Sequence, residues 1–228
     1  MAKDTRRAPR QAEAERNDRA LLEAAREVIG ADGEHASVAA IAKRAGVGIG
    51  SLYRRYRTKE ELFQRLSVIA LDGYHRAATE GLAIDDPWEG LVHYVTAAIG
   101  LGAGSLGPIA GTITVTDEMA DKNERADDAV ATLVERARAA GALRADVTQV
   151  DLDLLIEQLA TSPLLDQLRK QGRTDLLDVA WNARTRITAI ALDGLRATAS
   201  QPLPGHPPGR ELLTERWTPA DEVDDVRR

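Results

Sequence analysis

Between Ala45 and Leu62 the chain reads AGVGIGSLYRRYRTKEEL, with Gly46, Gly48 and Gly50 followed by Tyr53, Arg54, Arg55, Tyr56, Arg57 and Lys59. Glycines that bring a backbone close to a ligand, followed by arginines, tyrosines and a lysine, handle phosphate. Two chemistries compete: a loop cradling the phosphate of a small cofactor, and a turn presenting a helix to the phosphates of DNA. A dinucleotide-binding loop follows a strand and spaces its glycines G-x-G-x-x-G, and a P-loop ends in Gly-Lys-Ser/Thr. Here the glycines alternate, no such lysine follows, and the preceding segment is alanine-rich with a helical period. The turn fits the residues better: Gly46 ends one helix in the left-handed conformation and Gly48 caps the next.

Other chemistry finds few residues. The chain has no cysteine, which excludes thiolate nucleophiles, Cys-ligated zinc, iron-sulfur clusters and disulfides. His75 and His93 match no zinc-ligand spacing. The pairs Asp85-Asp86 and Asp127-Asp128 resemble the aspartate pairs with which isoprenoid synthases hold magnesium, and they define the alternative reading, an all-α enzyme. Such a site needs a further acid at the right helical spacing, and the first pair runs into Pro87 and Trp88. No catalytic residue, metal ligand or cofactor is therefore expected.

The elements that position the glycine turn are legible. Leu21, Leu22, Ala25, Val28 and Ile29 share one helical face, and Gly33 is placed to end that helix. Ser37 is placed to cap a short second helix carrying Val38, Ile41, Ala42 and Ala45 on one face. The turn leads to a third helix on which Gly50 removes a side chain where the backbone would lie close to DNA. Ile49, Ser51, Tyr53, Arg54 and Arg55 are left to reach the groove and its walls, and Leu52 points to the core. Thr58-Lys59-Glu60-Glu61 reads as a capping box opening a fourth helix. Short helix, three-residue turn and second short helix is the spacing of a helix-turn-helix.

Charge agrees. Net charge is −6, yet the first sixty residues hold 13 Lys/Arg against 9 Asp/Glu, and the remainder 17 against 27. From Ala36 to Lys59 there is no acid, while Lys43, Arg44, Arg54, Arg55, Arg57 and Lys59 are present. A basic end on an acidic chain implies local contact with a polyanion.

SVAAIAKRAGVGIGSLYRRYRTKEEL resembles the DNA-binding signature of the TetR-type repressors, from Leu21 to about Leu66: the turn AGV, the glycine two before LY, and the Tyr-x-x-aromatic-x-Thr-Lys-Glu run align without gaps. Gly48 stands where the family often has Ser or Thr, and Arg55 where it often has His. The resemblance implies an all-α homodimer. An N-terminal three-helix DNA-binding domain, residues 17–62, joins an α-helical ligand-binding and dimerisation domain, residues 63–198. It places phosphate contacts on Ser37, Tyr53 and Lys59 and base-edge contacts on the helix around Ile49 to Arg54. With the basic neighbours the expected DNA-binding set is Ser37, Lys43, Arg44, Gly48, Ile49, Gly50, Ser51, Tyr53, Arg54, Arg55, Tyr56 and Lys59. The partners implied are a palindromic double-stranded operator, with half-sites about one helical turn apart, and a small-molecule effector that releases a repressor from it. A DNA-binding protein without effector is the remaining alternative.

In the rest of the chain, helical periods run from Pro87 to about Leu101, Lys122 to Ala140, Val150 to Lys170 with an interruption at Pro163, and from Gly172 onward. The resemblance assigns the last two to the dimer interface. The uncharged run Gly90 to Thr116 is too interrupted by glycine and proline to span a membrane. Its small residues leave room for a pocket, with Tyr74, Trp88, His93, Tyr94, Met119, Gln158, Trp181 and Arg184 as candidate lining. Residues 1–16 read as a flexible basic arm and 199–228 as a Pro/Gly-rich tail with Leu212, Leu213 and Trp217 as docking residues. The N-terminus has no apolar stretch of a secretory signal, so a cytoplasmic location is expected.

Overall fold

A computed structural model of the chain describes residues 7–102, 104, 106–198 and 201–217. These are helical and contain no strand; one isolated antiparallel bridge joins Leu143 and Arg196. In chain order the helices are α1 (Arg7–Asp32), α2 (Val38–Ala45), α3 (Ile49–Arg55), α4 (Lys59–Leu82), α5 (Pro87–Gly100), α6 (Asp117–Ala139), α7 (Gln149–Ala160), α8 (Pro163–Lys170), α9 (Leu177–Gly194) and the one-turn α10 (Glu211–Thr214). No described helix is long and apolar enough to cross a membrane.

Two boundaries differ from expectation, each for a local reason. α1 starts at Arg7, inside the stretch read as a flexible arm, because its Ala, Arg, Gln and Glu are strong helix formers and its proline lies in the first turn. Residues 1–6 of that arm lie outside the described residues, as does the tail beyond residue 217. α6 starts five residues before Lys122, where Thr116 Oγ1 accepts from the Met119 N–H (3.3 Å) and Asp117 and Glu118 occupy the first turn. The interruption expected at Pro163 is present: the run from Val150 to Lys170 is two helices, since Pro163 has no N–H to continue α7 and instead opens α8.

The chain forms two compact units. The first comprises Met1–Asp72, Ser105–Lys122 and Thr214–Arg228, the second Gly73–Gly104 and Asn123–Leu213. The uncharged run read as one pocket wall is thus divided between them.

In the first unit α1 packs on α2 and α2 on α3, and a 3-10 turn at Gly107–Ile109 packs on α1. Leu21, Ala25, Ile29, Ile41, Leu52, Leu62, Phe63, Leu66 and Ile109 are buried there. The second unit buries Leu91, Val95, Leu133, Val134, Leu152 and Ile156 in one cluster. α4 and α5 cross at Gly81 and Gly90, where a Cβ on Gly81 would lie 2.6 Å from the Gly90 carbonyl oxygen. The guanidinium of Arg136 donates to the carbonyls of Leu82, Ile84 and Asp85 (2.5–2.7 Å), satisfying acceptors that the end of α4 leaves open. From the C-terminal segment, the Leu203 N–H donates to Asp146 (2.8 Å), the Gln201 carbonyl accepts from Arg144 (2.7 Å), and Arg210 pairs with Asp127. Leu212 is exposed; Leu213 and Trp217 are half-buried.

Candidate DNA-binding surface

Ser37 starts the motif: its Oγ accepts from the Ala40 N–H at 3.0 Å, fixing the first turn of α2. α2 ends where Gly46 adopts φ +69°, so its N–H reaches the Ala42 and Lys43 carbonyls while the Val47 N–H bonds Ala42. A side chain at that φ would be strained. Gly48, extended, is the N-cap of α3.

α3 has one buried side chain, Leu52. Ile49, Ser51, Tyr53 and Arg54 are exposed, Tyr53 at 51%. A Cβ added to Gly50 would meet nothing within 4 Å, so the glycine marks open surface along the helix. Arg54 donates to Ser51 Oγ (3.1 Å). This face therefore offers one guanidinium, one phenol, one hydroxyl and bare backbone, a set suited to phosphates and base edges. Lys43 is exposed on α2, and Lys59 opens α4 with its ammonium 5.2 Å from the Phe63 ring centroid.

Three residues of the expected set have other contacts. Tyr56 is buried, and burial pushes its phenol up, so it supports the core below α3. Arg55 pairs with Asp18 of α1 (2.9 Å) and lies over the Tyr56 ring; Arg44 pairs with Glu27.

Sequence reasoning missed two arrangements. Asp18, largely buried, also accepts from Arg65 (3.1 Å), so one carboxylate ties α1 to the end of α3 and to α4. Secondly, the polar groups of the first turn of α4 are engaged. Thr58 Oγ1 accepts from the Glu61 N–H (3.0 Å), but Glu61 reaches back to the Arg57 N–H (2.6 Å), where a capping box would use the Thr58 N–H. Glu60 accepts from the Thr114 N–H at 2.9 Å, which holds its carboxyl below the usual range, and Gln64 donates to the Thr114 carbonyl at 2.9 Å. With partners more than thirty residues away, neither the Asp18 pairs nor the Thr114 contacts have a local signal.

The candidate pocket residues are divided between the two units. Met119 is buried in the first unit and the other seven belong to the second. Trp88 and Tyr94 are core members with Tyr74 packed against their cluster, and burial pushes the Tyr94 phenol well up. Trp88 lies under the Arg196 guanidinium. His93 is hydrogen-bonded to Glu80 (3.1 Å), Gln158 and Trp181 are exposed, and Arg184 donates to the Leu159 and Ala160 carbonyls at the end of α7. A shallow concavity of the second unit is lined instead by Asp178, Val179, Asn182, Ala183 and Arg186 of α9. Among the described residues no three His, Asp or Glu form a metal-binding group. Asp86 is spent as the N-cap of α5, accepting from Trp88 and Glu89.

A basic helix presented across a glycine turn from a preceding short helix is a helix-turn-helix arrangement. Residues 21–66 match the family model described as bacterial regulatory proteins, tetR family. The chain is similar to the crystal structure of a TetR transcriptional regulator from Streptomyces coelicolor, with 25% identity over 80% of this chain and 99% of that one, at a TM-score of 0.53. It shares its fold with a TetR transcription regulatory protein from Mycobacterium vanbaalenii, with 24% identity over 82% and 98% of the two chains and a TM-score of 0.50. No curated protein matches. The N-terminal segment is thus similar to the DNA-binding domain of the TetR-type regulators, and the chain shares their helical fold.

Proposed function

We propose that the chain is a cytoplasmic repressor that binds a palindromic operator as a homodimer and is released by a small-molecule effector. The observation that carries the reading is the exposed face of α3, with Ile49, Gly50, Ser51, Tyr53 and Arg54 held outward by Leu52 and the Gly46 turn. Lys43, Ser37 and Lys59 flank it as phosphate contacts.

The dimer is supported by α9. Val179, Ile187 and Ile190 are 66%, 56% and 69% exposed and follow one another at steps of eight and three residues, beside the half-exposed Trp181. Apolar side chains left in water along one helix face favour cover by a second copy. An effector acts by binding better to a dimer whose recognition helices no longer match consecutive half-sites, which shifts the population off DNA. The enzyme alternative has less support, since Asp86 caps a helix and Asp127 pairs with Arg210.

The experiment is selection of bound fragments from a random duplex pool by the purified protein, followed by binding at rising salt. One enriched palindrome, with affinity falling steeply in salt, is the expected result. No enrichment and no salt dependence would overturn the reading.

A further inference from the structure

The first turn of α4 poses an electrostatic problem for a surface that must approach a polyanion. Lys59 is followed by two carboxylates, Glu60 and Glu61. Acids there stabilise the helix through its dipole but repel phosphate. Both are engaged by backbone N–H groups, Glu61 by Arg57 and Glu60 by Thr114. The Thr114 contact spans 54 residues, and it is doubled: Gln64, one turn further along α4, takes the carbonyl of the same residue. Thr114 is gripped at both of its main-chain polar groups by two side chains of one helix face.

The gripped residue is itself fastened. It lies in an irregular stretch between the buried Ile113 and Thr116, the residue that caps α6; Ile109 and Met119 on either side are also buried in this unit. The stretch therefore serves as a fixed post rather than a loose loop hanging on Glu60.

We propose that Glu60 and Gln64 are positioning residues for operator binding: their grip on Thr114 sets the pose of the first turn of α4, and with it Lys59, against the DNA backbone. This rests on the DNA-binding reading above. Neither side chain touches DNA; each acts through the helix it holds. The proposal makes two substitutions at one position differ in sign. Glu60→Ala removes a negative charge beside phosphate, which by charge alone would tighten binding, but it also removes the acceptor for the Thr114 N–H. Glu60→Gln removes the same charge and keeps an acceptor oxygen.

The test measures affinity for the duplex recovered by selection, at several salt concentrations, for the full chain and for Glu60→Ala, Glu60→Gln and Gln64→Ala. Glu60→Ala is expected to weaken binding about 3- to 10-fold, the worth of one intramolecular hydrogen bond. It should lower the slope of log affinity against log salt by about one phosphate contact. Glu60→Gln is expected to bind at least as tightly as the parent chain with an unchanged slope, and Gln64→Ala to behave as a milder Glu60→Ala. Equal tightening by both Glu60 variants would mean that only charge matters and would overturn the proposal. So would a lower melting temperature of Glu60→Ala with unaltered affinity and slope, or no change in any variant. If the parent chain itself shows no salt-dependent binding, the DNA-binding reading falls and this inference with it.

Discussion

Helices α3 and α9 each leave one face uncovered, and the two faces differ in kind. α3 offers Tyr53, Arg54, Ser51 and a bare glycine around the single apolar Ile49, whereas α9 offers Val179, Ile187 and Ile190. Water satisfies the first face, so its exposure costs little and its partner is one that displaces water and counterions from charge. The second face is uncovered at a cost: burying a Val or Ile fully is worth about 1.5–3 kcal/mol, of which these residues forgo a large part. On the proposed function the polar surface is held open for a polyanion, and the apolar one is covered by the same face of another copy. The supports differ as well. α3 is short and is held by one long-range ion pair, Arg55 with Asp18, whereas α9 is a helix of 18 residues.

The comparison breaks most visibly on the apolar side. Replacing Ile187 and Ile190 with aspartate should turn a dimer into a monomer in sedimentation. It should also weaken operator binding by about 100-fold or more, since each 1.4 kcal/mol of lost half-site contact is a factor of ten. A variant that remains dimeric would assign the interface elsewhere. On the polar side, Lys59→Ala should cost about tenfold on every duplex and lower the salt slope by about one, while Arg54→Ala should alter base preference in the selected pool. A uniform loss for Arg54→Ala would make it a backbone contact.

Smaller is the effect of Asp18→Asn. Its two arginine partners are 45% and 39% exposed, so screening limits the expected loss in chemical denaturation to about 1 kcal/mol. Operator affinity should fall with it if the carboxylate holds α3 in place. The smallest effect concerns the C-terminal segment. Arg144, and after it the Leu203 N–H, hold the Asp146 carboxyl down to about 2 from 3.8. A folded value below the unfolded one stabilises above pH 3.8 and is lost as pH falls towards 2. Melting temperature followed through that window should therefore fall less steeply for Asp146→Asn than for the parent chain, and parallel curves would show that the contact contributes nothing.

Legibility followed the range of the interaction. The Ser37 cap, the Gly46 turn, the Gly48 N-cap and the outward face of α3 depend on residues within about one helical turn, and each was readable from residue type and spacing. The start of α1 was not readable because residues 7–16 carry no large apolar residue and so give no periodic signal, only propensity. The pocket set meets another limit. Aromatic and polar residues among helices are as often core as lining, and Trp88 and Tyr94 are core.

Arg55 and Tyr56 mark the limit. Adjacent on α3 and its cap, they are equally plausible as DNA contacts by type, yet one faces Asp18 and the other is buried. The sequence alone determined an all-α chain with a basic helix-turn-helix at its N-terminal end, because local hydrogen bonds and helical periodicity suffice for that. Only the tertiary structure decided which basic and aromatic side chains of that end remain outside and that Thr114 is gripped by α4. Those outcomes depend on pairing residues 37 to 54 positions apart, and no short stretch of chain specifies such a pairing.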